Sequence, residues 1–208
     1  NNIDIVEIGM PFSDPMADGP TIQESSTRSI ENGTTINDIF ELVKKIRQLN
    51  DEIPIILMGY YNSIFNMGIE EFTSKCVQVG VDGLIIVDLQ PEEDADLYDK
   101  TKDNNIDLIR LITPTTNKER LKTILNNASG FLYYVTVTGI TGQNSANLKE
   151  LETLINLIRS ESNLPIVAGF GIKSRKDVEN ISAFTDGVVV GSSIVNIIKD
   201  NISDKKNM

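Results

Sequence analysis

An α/β fold built on a parallel sheet, of the (β/α)8 TIM barrel kind, is the class that the sequence predicts. Short apolar runs rich in β-branched residues alternate with longer segments of helical period, which is typical of successive βαβ units. Several of these runs are apolar at nearly every position, as expected for strands covered on both faces. The alternative is a doubly wound open sheet, and the absence of G-x-G-x-x-G after the first strand argues against it.

The strands and helix starts follow from these runs. The strand candidates are Ile3–Ile8, Pro54–Met58, Gly83–Val87, Asp107–Ile112, Phe131–Val135, Pro165–Ala168 and Gly187–Val190. Capping-box spacing predicts three helix starts, at Thr35 with Asp38, Thr116 with Glu119, and Ser174 with Asp177. Two apolar stripes at helical spacing predict faces packed on the sheet: Ile36, Ile39, Phe40, Val43 and Ile46, and then Leu148, Leu151, Ile155 and Ile158.

The number and spacing of the strands predict one barrel domain over residues 1–198, followed by a polar tail over residues 199–208. The sequence opens almost directly in a strand, and the tail closely follows the last one. We therefore expect a barrel that lacks its first βα unit and its last helix. In a barrel of this class, the active site lies at the carboxyl ends of the strands.

The composition argues against several kinds of partner and limits the groups that can transfer a proton. A net charge of −11 argues against nucleic acid as a partner, and no apolar run approaches the ~20 residues that a membrane helix needs. The single cysteine, Cys76, excludes an internal disulfide and favours a cytoplasmic setting. Because the chain has no histidine, proton transfer near neutral pH falls to carboxylates, Tyr, Cys or Lys, and the usual zinc sites are disfavoured.

Two acidic residues stand out at the end of the first strand and in the loop after it. Glu7 interrupts an apolar strand, and alternation puts it on one face with Ile3 and Ile5, inside or above the barrel mouth. Burial there would raise its pKa and suit a group that both gives and takes a proton. The loop Pro11–Pro20 contains three prolines and ends in Asp18-Gly19-Pro20, so it is stiff enough to hold an acid over a cavity. A structural acid and a rigid surface turn are the alternative readings.

The run from Glu7 to Pro20, EIGMPFSDPMADGP, resembles the characteristic motif of tryptophan synthase α subunits. Further matches follow in the same order: Tyr60-Tyr61-Asn62, Gly80-Val81-Asp82-Gly83 with Asp88, Thr138–Gly142, Gly169–Ile172 and Gly191–Val195. This resemblance covers nearly the whole chain and implies a (β/α)8 barrel. It also implies a retro-aldol lyase that cleaves indole-3-glycerol phosphate to indole and glyceraldehyde 3-phosphate, in tryptophan biosynthesis, with no metal and no other cofactor.

The resemblance also assigns roles to residues. Asp18 would accept a hydrogen bond from the indole N–H, and Glu7 would move the proton. Thr141 would meet Asp18 when a lid over residues 136–147 closes. The expected substrate-binding residues are Met58, Tyr60, Ile85, Leu111, Tyr133, Thr141, Gly142, Gly169, Phe170, Gly171, Val189, Gly191 and Ser192. Within this set, the glycines and Ser192 would bind phosphate through backbone N–H groups, and the large apolar side chains would surround the indole.

The resemblance implies a partner as well. The chain would act with a pyridoxal-phosphate β subunit in an α2β2 complex, with Asp14 and Pro15 in the contact. Two other readings stay open. One is a catalytically weak or inactive barrel that binds the phosphate ligand and regulates its partner. The other is a different phosphate barrel, such as a sugar-phosphate isomerase, which the Pro11–Pro20 loop argues against.

Overall fold

The computed structural model describes residues 3–135, 145–169, 172 and 174–202, the side chains of residues 145–148 excepted. The chain divides into two compact units, residues 1–109 and residues 110–208. Each described unit contains one four-stranded parallel sheet. Among the described residues, none of the helices has the length and apolar character needed to cross a membrane.

The first unit alternates strands and helices around the sheet order β1-β2-β3-β4. Its elements are β1 (Val6–Gly9), α1 (Pro20–Glu31), α2 (Ile36–Leu49), β2 (Ile55–Gly59), α3 (Tyr61–Met67), α4 (Ile69–Val79), β3 (Gly83–Ile86), α5 (Ala95–Asp103) and β4 (Asp107–Leu108). One face of the sheet packs on the helices through a core that includes Ile8, Leu57 and Leu84. These three residues are register partners on adjacent strands, so Glu7 on β1 belongs to the opposite face.

The second unit repeats this plan with the sheet order β5-β6-β7-β8. Its elements are β5 (Arg110–Ile112), α6 (Lys118–Leu125), β6 (Leu132–Val135), α7 (Ser145–Glu161), β7 (Ile166–Gly169), α8 (Arg175–Ser182), β8 (Gly187–Val189) and α9 (Ser192–Asp200). Ile112, Tyr134 and Ala168 are register partners in the core beneath the helices. The alternate residues of these strands therefore share the face turned away from the helices.

Five of the seven strand candidates match the structure to within one residue at each end, and two need larger corrections. The first strand begins at Val6 rather than Ile3, and Ile3 and Ile5 are 57% and 39% exposed. The candidate Asp107–Ile112 is two short strands, because Asp107–Leu108 pairs with β3 and Arg110–Ile112 pairs with β6. Beyond the strands, the helix that follows β8, α9, continues to Asp200, past the expected start of the polar tail. The assignment of residues 1–198 to a single domain stays a prediction.

Two of the three predicted capping boxes are present. The backbone N–H groups of Thr35 and Ser174 donate to Asp38 and Asp177 at 2.8 and 2.9 Å. The prediction at Thr116 was wrong, because α6 begins one residue later. Asn117 is its N-cap and accepts a hydrogen bond from the Arg120 N–H. The Thr116 hydroxyl instead accepts a hydrogen bond from the backbone N–H of Thr113, which closes a turn after β5.

The apolar stripes are confirmed where their side chains are described. Ile39, Phe40 and Val43 of α2 are buried, and Ile36 and Ile46 pack against them. Leu151, Ile155 and Ile158 of α7 are buried in the second core, whereas the side chain of Leu148 lies outside the described residues. Periodicity therefore identified the faces that hold each sheet to its helices.

An arginine–aspartate pair recurs at the amino ends of the strands in both units. In the first unit, Arg47 of α2 pairs with Asp82, whose carboxylate accepts the Ile55 N–H at 2.7 Å. In the second unit, Arg159 of α7 pairs with Asp186 at 3.1 Å, and Asp186 accepts the Ile166 N–H at 2.8 Å. Each pair joins the end of a helix to the starts of two adjacent strands. It thereby helps to fix the register of strands whose carboxyl ends contain the expected site residues.

Candidate active site

Glu7 is the second residue of β1, in register with Ile56 of β2. Its neighbours Val6 and Ile8 pack towards the helices, so alternation turns Glu7 to the other face of the sheet. By its solvent-accessible surface Glu7 is exposed, yet protein atoms lie close enough around its carboxyl group to remove much of its hydration. Burial, and then the negative charge of Asp18, raise the pKa of Glu7 to about 7.

The loop between β1 and α1 holds Asp18 through contacts at both of its ends. At the start, the N–H of Met10 donates to the carbonyl of Met58 at 2.7 Å. The N–H of Phe12 donates to the Ser26 hydroxyl, which donates back to the Phe12 carbonyl, both at 2.9 Å. At the end, Gly19 is the N-cap of α1 and Pro20 its first residue. Proline suits that position because the first helical N–H has no intrahelical acceptor.

Tyr60 contacts the same loop from the end of β2. Its hydroxyl accepts a hydrogen bond from the N–H of Ala17 at 3.0 Å and donates one to Asp18 Oδ2 at 2.9 Å. The Phe12 ring stacks on it with a centroid separation of 5.2 Å. Burial is the largest cause that raises the pKa of Tyr60 to about 12, and the Asp18 carboxylate contributes in the same direction. The phenol is therefore a stable hydrogen-bond donor at neutral pH.

The two carboxyl groups are close enough for the charge of Asp18 to act on Glu7, but their environments differ. Burial raises the pKa of Asp18, and the hydrogen bond from Tyr60 opposes this by favouring the carboxylate. Glu7 has no such donor among the causes of its shift, and its pKa lies near neutrality. Two acids with such different environments can take different roles in a reaction: one can transfer a proton while the other remains an anion.

The strand residues expected to surround the substrate lie on the faces turned away from the helices. In the first unit, Met58 and Ile85 are register partners on the same face as Glu7, Met58 half-buried and Ile85 fully buried. In the second unit, the corresponding face holds Leu111, Tyr133 and Val189. The contact of these residues with a substrate stays a prediction.

The residues expected to bind phosphate are only partly described. Gly169 ends β7, where an added Cβ atom would lie 2.1 Å from the Tyr133 hydroxyl oxygen, so the close approach requires glycine. Gly191 is the N-cap of α9 and Ser192 its first residue. Four further expected site residues, Thr141, Gly142, Phe170 and Gly171, lie outside the described residues, as do residues 136–144 of the expected lid.

The sequence did not predict the hydrogen bonds that Tyr60 and Asp88 form. Tyr60 was expected to bind substrate, yet its hydroxyl contacts Asp18, which is 42 residues away in the sequence. Asp88, after β3, accepts the N–H of Tyr61 at 2.7 Å and so binds the first turn of α3. Only their positions at strand ends could have indicated these contacts, because no local pattern links the partners.

Comparison with solved structures gives the class of fold. The chain has a TM-score of 0.88 and 36% identity to tryptophan synthase subunit alpha from Legionella pneumophila, over 98% of this chain and 75% of that one. The Campylobacter jejuni subunit gives a TM-score of 0.86 and 40% identity, over 95% and 78%. A chain from the tryptophan synthase a2b2 complex of Pyrococcus furiosus gives 0.84 and 34%, over 95% and 79%. The fold class is therefore the α/β, (β/α)8 barrel that the sequence predicted.

Comparison of sequences then gives the family. A family model described as "Tryptophan synthase alpha chain" matches residues 1–208. Tryptophan synthase alpha chains from Petrotoga mobilis and Zymomonas mobilis are both 44% identical, over 205 and 207 residues. These alignments span 99% and 100% of this chain and 79% and 76% of the relatives. The chain belongs to the tryptophan synthase alpha chain family, which makes it a lyase of tryptophan biosynthesis.

Proposed function

We propose that this chain cleaves indole-3-glycerol phosphate into indole and glyceraldehyde 3-phosphate. The observation that carries the proposal is the pair formed by Glu7 on β1 and Asp18 in the following loop, whose charges interact. One acid has a pKa near neutrality and the other is held as a hydrogen-bonded carboxylate, in a chain without histidine. A retro-aldol cleavage that passes through a protonated indole needs these two properties together.

The reaction can be written with this chain's own residues. Protonated Glu7 gives its proton to the indole ring carbon that bears the glycerol side chain, and Asp18 stabilises the positive charge at the ring nitrogen through a hydrogen bond from its N–H. The Glu7 carboxylate then takes the proton of the adjacent glycerol hydroxyl. The O–H electrons form the aldehyde C=O, the C–C bond breaks, and its electrons restore the aromatic indole. Glu7 ends the cycle protonated, as it began.

Substrate binding would use the two kinds of residue that the sequence suggested. The amino end of α9, at Gly191 and Ser192, offers backbone N–H groups and the positive end of a helix to a phosphate. Gly169 gives close backbone access at the end of β7, and Gly142 and Gly171 would complete the site. The indole would lie among Met58, Ile85, Leu111, Tyr133, Phe170 and Val189.

The proposed partner is a tryptophan synthase β subunit that consumes the indole. Support comes from the similar chain of Pyrococcus furiosus, whose solved structure is that of an a2b2 complex. The contact would include Asp14 and Pro15, and Met16 beside them is 81% exposed, so this part of the loop is open to a partner. A cytoplasmic setting is proposed from the single cysteine.

Release of indole from indole-3-glycerol phosphate tests the proposal. Glu7→Gln removes the proton carrier and keeps the size of the side chain, so turnover should fall at least about a thousandfold while the substrate still binds. Glu52→Gln, an exposed glutamate before β2, is the matched control and should turn over normally. Retained turnover in Glu7→Gln would refute the assigned role. Ligand binding by the unaltered chain, alone and with a β subunit, but no indole release would favour the regulatory barrel instead.

A further inference from the structure

The Tyr60 hydroxyl forms hydrogen bonds in a fixed direction. Its oxygen accepts the backbone N–H of Ala17 at 3.0 Å, and its proton is directed to Asp18 Oδ2 at 2.9 Å. Because Tyr60 is only 2% exposed, its side chain offers almost no surface for direct contact with a ligand. Whatever Tyr60 contributes to the site must therefore pass through the loop and Asp18.

We propose that Tyr60 is a positioning residue of the lyase reaction, which keeps the Asp18 carboxylate ionised and aimed at the indole N–H. This inference rests on the proposed function, in which Asp18 stabilises charge on the indole. It gives Tyr60 a role different from the substrate contact that its place in the sequence suggested.

The Tyr60 ring is itself fixed from two sides, which a positioning residue requires. The Phe12 ring stacks on it at 5.2 Å with an interplanar angle of 26°. On the chain side, Tyr60 is the N-cap of α3, and the first N–H of that helix, from Tyr61, donates to Asp88 Oδ1 at 2.7 Å. The hydroxyl is therefore held relative to β2 and β3, and its two hydrogen bonds fix Ala17 and Asp18 of the loop against it.

The electrostatic consequence has a definite sign. Burial raises the pKa of Asp18, and the Tyr60 hydrogen bond lowers it. Among the described residues, the titratable groups that face this region are Glu7 on β1 and Tyr60 itself, and Asp88 acts on Tyr60 from the end of β3. Glu7 and Asp88 are acids and cannot replace the donor. Without the Tyr60 hydroxyl, this hydrogen bond would no longer oppose the effect of burial on the pKa of Asp18. The pKa would rise, and Asp18 would take up a proton at a higher pH.

Tyr60→Phe tests this inference, because it removes the hydroxyl and keeps the stacked ring. Two controls separate the role in positioning from general support of the structure. Tyr61→Phe makes the same change at the next residue, whose backbone N–H to Asp88 is unaffected. Ser26→Ala removes both hydrogen bonds at the Phe12 end of the loop and leaves the Tyr60–Asp18 bond intact. Folding of each variant is checked by near-ultraviolet circular dichroism and urea unfolding.

In Tyr60→Phe, kcat for indole release is expected to fall about tenfold with little change in KM, as for the loss of a hydrogen bond to a charged group. The acidic limb of its pH profile should move to higher pH. Neither control should move that limb. An unchanged limb in Tyr60→Phe, or an equal movement in Ser26→Ala, would overturn the inference.

Two additional measurements keep the test decisive. If Tyr60→Phe does not fold, 3-fluorotyrosine at position 60, a stronger donor of nearly the same size, should move the limb to lower pH. The ionisation of Asp18 is also followed without turnover, by infrared spectra of the carboxyl bands and difference spectra against Asp18→Asn. Absence of indole release by the unaltered chain contradicts the proposed function. If the pKa of Asp18 in this titration is the same with and without the change at position 60, only the role of Tyr60 is contradicted.

Discussion

Glu7 is expected to set the basic limb of the pH profile of indole release. Burial and the nearby charge of Asp18 raise the pKa of Glu7 from 4.5 to about 7. The proposed reaction starts from the protonated acid, so its active form is present below this pKa and is lost as the pH rises through it. Above about pH 7, kcat/KM should therefore fall about tenfold for each further pH unit.

The size of the effect follows from the two pKa values. At pH 7, about half of the molecules would carry the Glu7 proton, whereas a glutamate at the ordinary value of 4.5 would carry it in roughly 0.3% of them. The environment of Glu7 on β1 therefore raises the protonated fraction of its carboxyl group at neutral pH roughly a hundredfold. The pH at which the basic limb lies therefore measures how far the site raises the pKa of Glu7.

The assay is kcat/KM for indole release between about pH 5.5 and pH 9, at constant ionic strength. The substrate phosphate ionises near pH 6, below the predicted limb, and the chain contains no histidine that could produce a limb near 7. Infrared titration of the carboxyl bands provides the control, since Asp18→Asn should move the Glu7 titration to lower pH. A profile that stays flat from about pH 6 to pH 9, or one that already falls about tenfold per pH unit from the lowest pH measured, would refute the reasoning.

Two further predictions concern stability. Hydrogen bonds from the Ile166 N–H and from Arg159 lower the pKa of Asp186, so its stabilising contribution is present above the ordinary aspartate pKa and disappears as the pH falls. Because the Asp186 side chain is 42% exposed and solvent screens its charge, Asp186→Asn should lower the free energy of unfolding by only about 0.5 kcal/mol at pH 7 and by less near pH 3. Urea unfolding measures both values, and an equal loss at the two pH values would contradict this. Gly169→Ala should cost about 1–3 kcal/mol, because its Cβ atom would lie 2.1 Å from the Tyr133 oxygen, whereas Gly9→Ala, with nothing within 4 Å, is the control. Equal stabilities of these two alanine variants would show that the Tyr133–Gly169 contact adapts freely.

The sequence predicted much of the architecture because the relevant signals are local. Apolar runs located the strands, helical spacing identified the buried faces of α2 and α7, and capping boxes located the starts of α2 and α8. These patterns depend on residues within a few positions of one another, where propensity and periodicity act. Boundaries were less secure: tertiary pairing decided where β1 starts and divided the Asp107–Ile112 candidate into two strands.

The sequence by itself also determined which chemistry the chain can perform: with no histidine, an acid at the end of the first strand and a proline-rich loop with Asp18 were the candidates. Only the tertiary structure decided how those acids behave. The raised pKa of Glu7 and the hydrogen bond from Tyr60 to Asp18 both depend on atoms that are distant in sequence and close in space. Desolvation and hydrogen bonding act over a few ångströms of folded structure, so residue order can identify an acid but cannot set its proton affinity.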